Sequence, residues 1–115
     1  MAVFDRSLVV FGGLCGALGV GLSALAAHAG GDNLHTAASF LLMHAPALLA
    51  LSLIASNRLR RIGAFVLIVG LVLFCGDLVA RHFTGGRLIP YAAPGGGLLL
   101  IAGWLAVAIS GLVRR

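Results

Sequence analysis

Four long apolar stretches alternate with short polar ones along this chain. The first covers residues 7–29 and carries no charged side chain. The second covers 37–56, the third 62–82 and the fourth 94–113. A helix crossing the hydrocarbon core of a bilayer needs about 20 apolar residues, and each stretch meets that length. The links, 30–36, 57–61 and 83–93, are short. Short links make successive helices antiparallel neighbours. The expected fold is therefore all-α: an integral membrane four-helix bundle running up-down-up-down, with residues 1–115 forming a single transmembrane domain.

The ends of the stretches carry matching punctuation. Gly30-Gly31-Asp32-Asn33 stops the first helix and turns the chain, and Thr36 is the expected N-cap of the second. Pro94 suits the first turn of the fourth helix, where a missing N–H costs nothing. Pro46 lies inside the second span. It removes the hydrogen bond to the Leu42 carbonyl and predicts a kink beside His44. The run from Ala24 to Ala29 resembles a signal-peptide cleavage site, but the apolar stretch before it exceeds a typical h-region and Asp5 sits in the n-region. An uncleaved anchor is the expectation.

Composition agrees with this pattern. Of 115 residues, 61% are hydrophobic and only 10% charged, against about 25% in a soluble domain. Eleven charges cannot cover the surface of a water-soluble domain this size, so a soluble enzyme, a disordered tail and a disulfide scaffold are excluded. The net charge of +5 does not imply nucleic acid, because the arginines sit at the ends of apolar runs. Arg6, Arg58, Arg60, Arg61, Arg114 and Arg115 fall on one side of the membrane, Arg81 and Arg87 on the other. The positive-inside rule then places both termini in the cytoplasm of a cell inner (plasma) membrane. Cys15 and Cys75 lie in apolar runs without a CxxC partner and read as small buried thiols.

Lipid tails are as apolar as leucine, so membrane helices associate through small residues. The first span has such a stripe in Gly12, Gly16, Gly19, Ser23 and Ala27; the third has Gly63 and Gly70, the fourth Gly96 and Gly103. A tight bundle is expected. A homodimer through Gly12-x-x-x-Gly16 would use the same spacing.

Charged groups within a span are costly and mark candidate sites. Asp77 and Arg81, four residues apart on the third span, can pair directly. His44 lies in the second span, where a carbonyl freed by Pro46 or a neighbouring hydroxyl could take its ring. With His28, His82 and Tyr91, these residues gather in the outer half of the molecule. His28, His44, Asp77 and Arg81 are the candidate ligand-binding set. His28, His44 and His82 are weak metal candidates only, since none shares a helical His-x-x-x-His spacing. Below His44 the spans hold only Ser52, Ser56, Cys15 and Ser110, too few for a proton or ion path. No catalytic motif is present: there is no Gly-x-Ser-x-Gly elbow, and Gly95-Gly96-Gly97 lacks the Lys-Ser/Thr of a phosphate loop. Trp104 is mid-helix and does not read as an interfacial belt residue.

Four segments in order resemble the domain-of-unknown-function 423 family, also called transmembrane protein 256-like. They are Gly16-Ala17-Leu18-Gly19-Val20 through Ala27-His28, Phe40 to His44 with Ala45 to Leu49, Leu73-Phe74-Cys75-Gly76 into Thr84-Gly85, and Pro94-Gly95-Gly96 through Gly103-Trp104. The resemblance spans residues 12–107. It implies a small four-helix protein of bacterial inner membranes, with relatives in mitochondria and no settled activity, and it places the family's histidines at His28 and His44. The chain departs from the family pattern at Phe40 and Leu41, where Tyr and Gln are usual, and at Asp77, where Ser is usual; its first link is also shorter.

The expected function is a non-enzymatic structural or accessory membrane subunit. The alternative is an outward-facing binding module for a small ligand, lipid headgroup or metal. No cofactor is implied. The expected partners are membrane lipids and a homo-oligomer or larger membrane complex, with no nucleic acid.

Overall fold

The computed structural model describes residues 2–86 and 91–113. Four helices account for nearly all of them: α1 (Val3–Ala29), α2 (Asp32–Leu53), α3 (Arg58–Thr84) and α4 (Ala92–Ser110). All four are long and apolar enough to cross a membrane, and no strand occurs among the described residues. The all-α, four-helix, up-down-up-down architecture is as expected from the sequence.

The helix ends differ from the sequence reading in ways that capping explains. Thr36 is not an N-cap, because α2 begins at Asp32, with Gly31 as its N-cap. The first link shrinks to Gly30-Gly31. Both adopt positive φ, 75° and 110°, which costs a glycine little. Asp32 then stands in the first turn, where a carboxylate suits the positive end of the helix dipole. At the second link, residues 58–61 are helical rather than connecting. The Asn57 side chain accepts from Arg60 N at 2.8 Å and N-caps α3 one residue before the arginines. α3 continues to Thr84 and closes on Gly85 in the left-handed region. Pro94 does fall in the first turn of α4. Arg87, Arg114 and Arg115 lie outside the described residues.

Two hairpins make the molecule. α1 packs closely on α2, and α4 on α3; the hairpins join more sparsely through α2 and α3, and α1 and α4 do not approach one another. In each hairpin the contact runs through glycine, as the small-residue stripes predict. A methyl added at Gly96 would lie 2.6 Å from the Phe74 amide nitrogen, and one at Gly70 would lie 2.9 Å from the Gly96 carbonyl. These two backbones touch, and no Cβ fits between them. Gly12 and Gly19 play the same part against Ala45 and Leu42 of α2. That stripe is therefore used inside the molecule. Buried leucines fill the space between, among them Leu8, Leu48, Leu67 and Leu71. Cys15 and Cys75 are free and buried. The outer surface is apolar: Val10, Leu18, Phe65 and Leu105 are all more than half exposed, as lipid-facing side chains must be.

Candidate functional site

Because α2 starts at Asp32, His44 stands twelve residues into a 22-residue helix. That is about 18 Å along the axis, the middle of the span and not its outer half. Trp104 stands twelve residues beyond Ala92, the first residue of α4. α2 and α4 run the same way, so the two side chains sit at one depth. They meet across the molecule: Trp104 Nε1 donates to His44 Nε2 at 3.1 Å. An indole N–H can only donate. His44 Nε2 therefore accepts, and Nδ1 carries the hydrogen and donates to the Phe40 carbonyl at 2.7 Å. This carbonyl lies one turn back on α2. It is not the Leu42 carbonyl freed by Pro46, which corrects the partner expected from sequence. His44 is 2% exposed and has both ring nitrogens engaged.

The pair forms part of a chain of rings. Phe74 of α3 packs on Phe40 with centroids 4.6 Å apart. Phe40 stacks on His44 at 6.1 Å, and His44 meets Trp104 at 5.6 Å. These rings wall a cleft of about 680 Å³ between α2 and α4, completed by Met43, Pro94, Gly97, Leu98, Ile101 and Leu105. That volume is within the range of small-molecule sites. The Phe40 ring contributes packing without a hydroxyl. A second cleft, of about 370 Å³, lies on the other flank between α1 and α3 and is lined by both cysteines and by Phe11, Leu18, Leu71 and Val79.

The remaining candidates are placed as follows. Asp77 is fully buried, and its Oδ2 lies 2.9 Å from Arg81 Nη2. This is the i,i+4 pair expected from the sequence. Neither residue lines the cleft that His44 lines. His28 is exposed near the end of α1. His82 covers the α1–α2 turn, where a methyl on Gly31 would lie 2.9 Å from its Nδ1. The structure thus joins Asp77 with Arg81 but does not bring these two together with His44 and His28 in one cavity. Among the described residues no three His, Cys, Asp or Glu side chains form a metal-ligand group, and His28, His44 and His82 stand apart on three different helices.

The sequence alone gives Trp104 no partner, and the structure gives it His44. Its signal was depth: with the helix starts known, His44 and Trp104 share one register.

No solved structure matches the chain. A UPF0382 membrane protein of Staphylococcus haemolyticus is 30% identical, the match covering 91% of this chain and 94% of the relative. One from Haemophilus influenzae is 31% identical over 83% and 85%, and one from Staphylococcus epidermidis 29% over 93% and 96%. The family model described as "Protein of unknown function (DUF423)" matches residues 15–97. With four membrane-spanning helices and relatives named as membrane proteins, the chain is a multi-pass membrane protein and belongs to the DUF423 family, whose molecular activity is unknown.

Proposed function

We propose that the protein is a non-enzymatic accessory subunit of the inner membrane, which docks through α1 against another membrane helix, either of a second copy or of a larger complex. The observation that carries this reading is a second small-residue stripe. Gly13, Ala17 and Gly21 follow at four-residue steps on an exposed face of α1, and a methyl added at Gly13 or Gly21 would meet nothing within 4 Å. Close approach of helix backbones is what such spacing provides in a bilayer. The polar side chains of the spans support the reading from the other direction. His44 is closed by Phe40 and Trp104, and Asp77 pairs with Arg81, so neither is presented as a reactive group. Membrane lipids are the remaining partners in this reading, and nucleic acid has no part in it.

The test is native mass spectrometry and in-membrane crosslinking of a Gly13→Cys variant, beside a Gly13→Ile/Gly21→Ile variant. A homo-oligomer or stoichiometric partner, lost in the isoleucine variant, supports the reading. A bare monomer that does not crosslink overturns it.

The α2/α4 cleft favours a second reading, a binding module for an apolar, membrane-dissolved chain. Both polar side chains in its wall, His44 and Trp104, satisfy each other. The cleft therefore selects a ligand that asks for no hydrogen bond. Trp104 is the chain's only tryptophan, so its fluorescence reports on the cleft directly. Saturable quenching by a brominated lipid chain supports this reading; quenching that only tracks bulk bromolipid opposes it.

A further inference from the structure

The end of the molecule opposite Asp77 carries a positive excess. Arg6 of α1 and Arg58, Arg60 and Arg61 of the first turn of α3 lie at this end, with Asp5 as the acid among the described residues. Arg60 is committed within the molecule: its Nε donates to Ser110 Oγ at the end of α4 at 3.1 Å, and its Nη1 to the Ala55 carbonyl in the α2–α3 link. Asn57 Nδ2 adds a bond to the Ser110 carbonyl at 3.0 Å. Asp5 shares a crevice with Arg60 and Arg61. Arg6, Arg58 and Arg61 are exposed and make no ion pair among the described residues.

At the same end of the molecule, a groove of about 470 Å³ runs along α1, lined by Val3, Arg6, Ser7, Val10 and Phe11. The Ser7 hydroxyl donates to the Val3 carbonyl at 3.0 Å, which leaves the Arg6 guanidinium as the groove's uncommitted donor. Arg6 and Val10 are one turn apart, about 6 Å along the axis. Within that distance the wall changes from cationic to apolar, the same change a phospholipid makes from phosphate to chain.

We propose that this end is a docking site for an anionic phospholipid, its phosphate on Arg6 and its chain along Val10 and Phe11. Arg58 and Arg61 raise the local positive potential. Charge complementarity selects the occupant. Arginines in excess of carboxylates at a membrane surface attract anionic headgroups, and guanidinium groups match phosphate geometry. A zwitterionic lipid brings its own cation and gains less.

The test uses the full chain in mild detergent with equal amounts of dioleoyl phosphatidylglycerol and dioleoyl phosphatidylcholine, read by native mass spectrometry. Phosphatidylglycerol adducts should exceed phosphatidylcholine adducts by about tenfold. The triple variant Arg6→Gln/Arg58→Gln/Arg61→Gln should bring the ratio near one, and about 0.5 M salt should do the same for the unaltered protein, since the attraction is screened. Inorganic phosphate at the lipid concentration should leave the adducts in place. Equal retention of the two lipids by the unaltered protein overturns the proposal. So does a preference indifferent to salt, or displacement by inorganic phosphate alone.

Discussion

Trp104 Nε1 and His44 Nε2 are 3.1 Å apart, joining α4 to α2 across a cleft that the two backbones leave open. It is a side-chain bridge between two helices whose main contacts lie elsewhere, α4 on α3 and α2 on α1. Trp104→Phe keeps the ring and removes the donor, leaving a buried imidazole nitrogen unpaired. Such a group costs about 1–3 kcal/mol, and thermal unfolding in detergent should fall by several degrees. The double variant Trp104→Phe/His44→Phe should recover part of the loss. Equal melting temperatures for Trp104→Phe and the unaltered protein would show that the bridge contributes nothing.

Asp77 is fully buried and Arg81 only partly exposed. Breaking a buried pair by removing one partner destabilises by about 3–5 kcal/mol, because the other charge stays behind. Arg81 is 26% exposed and can reach towards the membrane surface, which puts Asp77→Ala at or below the low end. The melting temperature should drop, and the Asp77→Ala/Arg81→Ala variant should sit above the single one. A single variant as stable as the double one would refute the pairing.

Gly96 and Gly95 are neighbours with opposite expectations. A methyl at Gly96 meets the Phe74 backbone at 2.6 Å, whereas at Gly95 it meets nothing within 4 Å. Gly96→Ala must push α4 from α3, at about 1–3 kcal/mol or more. Gly95→Ala should be neutral or slightly stabilising, since alanine favours the helix by about 1 kcal/mol. Thermal unfolding of the two variants side by side checks this; equal effects would contradict the packing.

Topology has its own test. The positive-inside count predicts that both termini are cytoplasmic. Reporter fusions at the C-terminus should be active only as cytoplasmic reporters, and a fusion in the Gly30-Gly31 turn only as an outside one. The reverse result would invert the orientation.

The class of molecule is legible in the sequence alone. Four apolar runs, charge concentrated towards their ends, and glycine at three- and four-residue steps specify antiparallel spanning helices, because a bilayer offers backbone polar groups no partner outside the helix. The i,i+4 pair of Asp77 and Arg81 was legible for the same reason, since helical geometry alone brings them together. Depth and partnership were not. Thr36 looked like a cap, which put His44 in the outer half of the bundle. The start at Asp32 moved it to mid-span, level with Trp104. Which helices face one another across a cleft is likewise absent from any periodicity. Lipid-facing and bundle-facing sides of each span are both mainly apolar, so hydrophobicity marks no single buried face. The close seating of Gly70 on Gly96, and of Gly12 and Gly19 on α2, decides which neighbouring helices pack tightest and leaves Gly13 and Gly21 unpacked. Spacing decides what a helix can offer; contact between backbones decides which neighbour takes it.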